Sequence, residues 1–207
     1  MLRILGKPSS INVRKVLWTC TELALDYELE EWGSGFRDTH DPAYLALNPN
    51  ALVPVLVEGE FVLWESNTIC RYLVAKAGRH DLLPAAPAGR ARVEQWMDWQ
   101  ATNLNTAWRF AFMSLVRKSA AYADPERVEA SIHDWNRHMA IVDQRLASTG
   151  AFMAGDTFTL ADVVIGLSTH RWFSTPMSRP ALPLVETYYA RLSERAGFVR
   201  HGRNGIP

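Results

Sequence analysis

Cysteine is scarce: Cys20 and Cys70 are the only two in 207 residues, and neither belongs to a Cys-x-x-Cys pair. That argues against dithiol redox chemistry and against thiolate zinc clusters. Cys20 falls on the apolar stripe Val13, Val16, Leu17, Cys20 and Ala24, where a thiol is ordinary packing. Net charge is lacking too, because Lys+Arg and Asp+Glu both number 22. Nothing therefore draws the chain to nucleic acid or to an anionic membrane, and neither is expected as a partner. No apolar run approaches the roughly 18–20 residues that span a bilayer. Met1-Leu2-Arg3-Ile4-Leu5 leads straight into a strand and has no signal-peptide layout, so the expected location is cytoplasmic. There is no P-loop, no His-Glu-x-x-His and no dinucleotide fingerprint, and no metal site is expected.

What is present is a core-forming composition, 48% hydrophobic and 21% charged, as in an ordinary globular protein. The N-terminal part alternates strand and helix signals. Leu2 to Gly6 reads as a strand, Val13 to Ala24 as a helix and Leu29 to Trp32 as a second strand; Phe36 to Leu47 is part loop, part short helix. Val53–Glu58 and Phe61–Trp64 flank Gly59-Glu60 as a hairpin. Glu65 to Ala77 is a helix closed by Gly78. The order is βαβ, a crossover, then ββα. Leu83-Pro84-Ala85-Ala86-Pro87-Ala88-Gly89 has linker composition. Beyond it only helical spacing remains. Val93, Trp96, Met97, Gln100, Leu104, Trp108, Ala111 and Leu115 form one apolar face, and Asp124-Pro125 opens a helix with Val128, Ile132, Trp135, Met139, Val142 and Leu146. Thr159-Leu160-Ala161-Asp162 resembles a capping box; Leu184 to Arg195 is the last expected helix, and Arg200 to Pro207 a frayed tail. The expected organisation is an α/β domain at 1–79, a linker at 80–89 and an all-helical domain at 90–207.

Two short stretches carry the chemistry. In Asn48-Pro49-Asn50-Ala51-Leu52-Val53-Pro54-Val55-Leu56, a proline stands at the mouth of a strand, where it removes a ladder donor. This points to a special backbone such as a cis bond, which periodicity alone does not establish. Glu65-Ser66 then sits where strand gives way to helix, a place that can hold an anion. Between the first strand and first helix lies Lys7-Pro8-Ser9-Ser10-Ile11-Asn12-Val13. One hydroxyl or amide there is accounted for as a helix cap; Ser9, Ser10 and Asn12 exceed what a cap needs. A helix start favours negative charge, so a thiol held there would ionise more readily. The chain has no cysteine at that point, and the thiol would come from a ligand.

These motifs, in this order, resemble the cytosolic glutathione S-transferases over essentially the whole chain. The resemblance implies a thioredoxin-like βαβ–ββα domain followed by an all-helical one. It also implies glutathione as co-substrate with no further cofactor, and transfer of its sulfur to a small hydrophobic electrophile. Ser10-Ile11-Asn12-Val13-Arg14 is similar to the serine-using theta, delta and phi patterns, which implies Ser10 as the hydroxyl on the glutathione thiolate. Ser9 and Asn12 are the alternatives. By the same resemblance Val53, before Pro54, would exchange main-chain bonds with the cysteinyl unit, Glu65 would face the γ-glutamyl ammonium, and Ser66 its carboxylate. Similar members often carry a cation at the position of Leu52 for the glycyl carboxylate; leucine cannot serve, which leaves Arg37 or His40.

An electrophile pocket between the halves would draw on Trp108, Phe112 and Trp172, with Trp32 or Phe36 on its rim, though aromatics at helical spacing are more often core residues. The resemblance further implies a homodimer and a role in detoxification. Competing readings are a glutathione-dependent peroxidase, dehalogenase or isomerase, and a non-catalytic interaction module of the same fold.

Overall fold

Short apolar strands need partners on both edges to bury their main chain, and the N-terminal unit of the computed structural model, which describes residues 1–207, supplies them. Met1–Pro84 and Ala85–Pro207 form two compact units. In the first, β1 (Leu2–Leu5), β2 (Glu28–Glu30), β3 (Val55–Glu58) and β4 (Phe61–Trp64) make one sheet in the order β2-β1-β3-β4. β1 runs parallel to β2 and antiparallel to β3, with Ile4 opposite Leu56 and Leu5 opposite Val55. β3 is antiparallel to β4. Val55, Leu56 and Val57 are all buried, as expected of a strand covered on both faces. Leu5, Trp32, Tyr44, Val55 and Val57 form one core cluster, while α1 (Ile11–Glu22) packs against α3 (Ser66–Lys76).

Several boundaries differ from the sequence expectation, three of them near the cleft or the turn after β2. β3 starts at Val55, two residues later than read, because the Val53-Pro54 bond is cis and the ladder begins only beyond it. α1 starts at Ile11 rather than Val13, with Ser10 as its N-cap residue. β2 covers Glu28–Glu30, and Trp32 leaves the strand to form an isolated bridge with Arg37. Phe36 to Leu47 contains one short helix, α2 (Pro42–Leu45), capped by the Asp41 carboxylate on the Ala43 N–H at 2.8 Å.

The second unit is all helical: α4 (Pro87–Trp99), a π-helical turn (Gln100–Leu104), α5 (Asn105–Leu115), a 3-10 turn (Ala120–Tyr122), α6 (Pro125–Thr149), α7 (Leu160–Ser174), α8 (Pro183–Leu192) and α9 (Ala196–His201). α4 begins inside the stretch expected as linker, because Pro87 occupies its first turn, where a missing N–H costs nothing. The single face read from Val93 to Leu115 is broken by the π turn. There the Gln100 side chain is fully buried and donates to Ser168 Oγ at 3.0 Å. The tail is not frayed throughout, since α9 is anchored by the fully buried Phe198. Both thiols are interior, and burial pushes Cys20 up to about 12 and Cys70 to about 11, so they pack rather than react.

α7 is buried from Leu160 through Trp172, and one carboxylate sets its start. Asp162 accepts from the Met153 N–H at 2.8 Å and the Tyr188 hydroxyl at 3.0 Å on one oxygen. Its other oxygen takes the Thr159 N–H at 2.9 Å and hydroxyl at 3.2 Å. Complete burial raises the carboxyl to about 6, with those donors opposing the rise. Asp162→Asn should lower the unfolding free energy by about 2 kcal/mol, since an amide N–H would face donors it cannot satisfy. Urea denaturation reads this, and an unchanged midpoint would remove Asp162 from the account.

Candidate functional site

The chain's polar groups converge at one end of the sheet, where β1 ends and β3 begins. A cleft there is lined by Asn12, Asn48, Asn50, Leu52, Val53, Pro54, Glu65 and Ser66. Its floor is main chain. Val53 lies outside the ladder, and its N–H and C=O bond to nothing in the chain, although buried or half-buried backbone groups are nearly always paired. The segment before it is pinned from behind. The Tyr44 hydroxyl and the Asn48 amide each donate to the Leu52 carbonyl at 2.8 Å. Asn48 also accepts from the Asn50 N–H and side-chain amide at 3.1 and 3.0 Å. Tyr44 is fully buried, and burial raises its hydroxyl to about 12, so it stays a donor. Ala51 completes the turn at φ 54°.

Across the cleft, Glu65 takes φ 71° and ψ 109° as α3 begins. That is a left-handed conformation costing a non-glycine residue on the order of 1–2 kcal/mol. It presents the exposed carboxylate beside the Ser66 hydroxyl and the first N–H groups of α3. Neither side chain has a partner within the chain, although Ser66 is only 6% exposed. At the start of α1, Ser10 holds the N-cap position (φ −78°, ψ 126°) without capping. Its carbonyl accepts from Arg14 at 2.9 Å and its N–H donates to Lys7 at 3.0 Å, but the hydroxyl is unused. Ser9 and Asn12 side chains are likewise uncommitted within the chain, and Asn12 is the member of this trio that lines the cleft. Hydroxyls, amide and carboxylate are thus held by backbone geometry, with their polar ends open.

The candidate cations are engaged elsewhere. Arg37 Nη1 lies 3.7 Å from Glu30, with the guanidinium 5.4 Å from the Trp32 ring centre. His40 lies 3.1 Å from Asp38. Neither lines the cleft. The aromatic candidates divide by unit. Trp32 is packed 4.9 Å from Tyr44, centroid to centroid, whereas Phe36 is 47% exposed. In the second unit Trp172 is 1% exposed and donates its indole N–H to Asn136 at 2.8 Å, which makes it a core residue rather than a pocket wall. Trp108 and Phe112 are also interior, edge to face and 5.4 Å apart, with the Arg171 guanidinium over both rings. No group of three or more His, Cys, Asp or Glu is placed to hold a metal ion, and no helix is long and apolar enough to cross a membrane.

Sequence reasoning missed Tyr44, Asn48 and Asn50. Asn48-Pro49-Asn50 reads as a turn, and only its short spacing to Leu52 hints that the amide closes on that carbonyl.

Residues 5–81 match the family model described as glutathione S-transferase, N-terminal domain. Over 197 residues the chain is 38% identical to glutathione S-transferase GstB of Escherichia coli, with 94% of each covered. The chain belongs to the glutathione S-transferase family. It is also 32% identical over 205 residues to glutathione S-transferase 3 of Zea mays, covering 95% of this chain and 91% of that one. Among solved structures it is similar to the theta class glutathione S-transferase of the citrus canker pathogen Xanthomonas axonopodis pv. citri with glutathione bound. That match has 37% identity, a TM-score of 0.93, and coverage of 100% of this chain and 99% of that one. The thioredoxin-like unit and the helical unit read from the sequence are those of this transferase family.

Tyr44 and Asn48 act on a single acceptor, so their effects should be coupled. A double-mutant cycle with Tyr44→Phe and Asn48→Ala should give a coupling of about 1 kcal/mol in urea denaturation. Strict additivity would show that the two donors do not share the Leu52 carbonyl.

Proposed function

We propose that this glutathione S-transferase family member binds glutathione along the Val53 edge, ionises its thiol at the start of α1, and transfers the sulfur to a small hydrophobic electrophile. One observation carries the reading: Val53 main chain, Glu65 carboxylate and Ser66 hydroxyl meet in one cleft with no partners of their own. The γ-glutamyl head group carries an ammonium and a carboxylate on one carbon. Glu65 takes the first; the Ser66 hydroxyl and the N-terminal N–H groups of α3 take the second. The cysteinyl unit pairs with the N–H and C=O of Val53 as a one-residue strand extension. This supports glutathione over a free thiol, because three separate parts of the tripeptide find complementary groups.

Ser10 is the residue assigned to the sulfur. An N-cap serine that caps nothing keeps its hydroxyl for another acceptor, and the first turn of α1 adds a field favouring the thiolate. Lowering a thiol pKa by two units requires about 2.7 kcal/mol of preferential stabilisation. A hydrogen bond to a charged acceptor supplies about 1.5–3 kcal/mol, so serine and helix end together suffice. The rest of the rate is proximity: sulfur and electrophile held in contact. Phe36, exposed beyond Gly35, offers apolar surface for that electrophile.

The chain is also read as a homodimer that works on electrophiles arising in the cytoplasm. Phe61 and Trp64, on the edge strand β4, are 44% and 38% exposed, and an apolar edge of this kind calls for a cover. Light scattering should return twice the mass of one chain.

Ser10→Ala should raise the pKa of the bound thiol by about one unit, read as thiolate absorbance against pH. Glutathione affinity should stay within about threefold. If Asn12→Ala raises the pKa and Ser10→Ala does not, the sulfur belongs to Asn12. If only Ser9→Ala changes it, the sulfur belongs to Ser9; if none of the three variants changes it, ionisation does not occur at the start of α1.

A further inference from the structure

The two ends of the cleft differ in kind. One end offers Glu65, Ser66 and the start of α3, a set matched to an amino acid head group. With the cysteinyl unit on Val53 and its head group at Glu65 and Ser66, the third residue of the tripeptide runs toward Leu52, which is 64% exposed while its carbonyl is tied inward by Tyr44 and Asn48. The polar side chains lining the cleft are Asn12, Asn48, Asn50, Glu65 and Ser66, which are neutral or negative. The nearby cations have other duties. Arg37 is drawn to Glu30 and stacks on Trp32, and His40 pairs with Asp38. Lys7 runs its stem beside Gly33, where an added Cβ would stand 3.7 Å from Lys7 Cδ and 3.8 Å from Val53 Cγ1, and it is engaged in an interaction of its own. A carboxylate at the Leu52 end would meet an exposed alkyl side chain and no opposite charge, so it keeps its water and gains nothing from the site.

We infer that the site recognises its thiol by the γ-glutamyl-cysteinyl portion alone and is indifferent to the charge of the third residue. The substrate class is then the γ-glutamyl-cysteinyl thiols, whether the terminal carboxylate is free, esterified or absent together with its residue. Leu52 is the specificity-determining position. This rests on the glutathione reading above and goes beyond it, because that reading holds equally for a site that demands the tripeptide's terminal charge.

The test is calorimetric titration of the full chain with glutathione, its glycine monoethyl ester and γ-glutamylcysteine, repeated with Leu52→Lys. Because Leu52 is mostly exposed, the variant keeps its fold, which its melting temperature checks. The wild-type chain should bind all three thiols within about threefold of one another. Leu52→Lys should tighten glutathione by about fivefold or more and leave the ester unchanged. A wild-type preference for glutathione over its ester of about tenfold or more overturns the inference while leaving the glutathione reading intact. In that case Lys7, Arg37 or His40 reaches the carboxylate. Equal tightening of all three by Leu52→Lys also overturns it. If none of the three thiols binds the wild-type chain, the glutathione reading falls and this inference with it.

Discussion

The Leu52 carbonyl, held from behind by a buried tyrosine hydroxyl and a buried asparagine amide, is the constraint from which the site follows. A carbonyl with two lone pairs can accept both donors, and both bonds are 2.8 Å. With that oxygen turned inward, the N–H of the same peptide, that of Val53, points the opposite way, and Val53 becomes a piece of strand edge with no strand beside it. Protein edges of this sort are usually covered or blunted. Here the edge is a single residue long, too short to recruit another chain and long enough to pair with one residue of a peptide. The cis bond to Pro54 then returns the chain to the ladder at Val55, so the open residue lies beside a central strand that is buried on both faces.

Around that edge the fold places the starts of two helices, α1 and α3, each with side chains that do not cap. Ser10 leaves its hydroxyl unused, and Glu65 adopts a left-handed backbone that aims its carboxylate outward rather than back at α3. Local stability is given up at both places, since a capping hydroxyl is worth about 1 kcal/mol and a left-handed glutamate costs a similar amount. The helical unit makes the opposite choice at α7. There Thr159 and Asp162 bond each other, Met153 and Tyr188, and leave no polar group spare. One molecule thus uses helix starts in two ways, sealed in the core at α7 and left open beside the cleft at α1 and α3.

Much of this was legible in the sequence, and the misses share a cause. Val53-Pro54 and Glu65-Ser66 stood out because a proline in a strand and an acid beside a hydroxyl break local rules, and broken rules collect at sites. Element order was readable from periodicity. The start of β3 was misplaced because Val53 has strand character yet lies outside the ladder, at the wall of the cleft. The π turn at Gln100 was invisible because one extra residue hardly disturbs an apolar stripe, and α9 because it hangs on a single buried phenylalanine. Tyr44 and Asn48 were missed for a different reason. Their roles depend on a carbonyl, and no residue type announces where its carbonyl points. Trp172 was a candidate pocket wall weighed against the commoner core role, and it is buried; eight tryptophans give helical spacing to packing and to pockets alike.

The central claim is that a ligand pairs with the Val53 main chain, and amide hydrogen exchange at that residue tests it most directly. With saturating glutathione, the account predicts that the Val53 N–H becomes protected by about tenfold or more, while amides in β2, away from the cleft, do not change. If Val53 exchanges at the same rate with and without glutathione although the ligand is bound, the edge is not the binding surface and the account is wrong at its root.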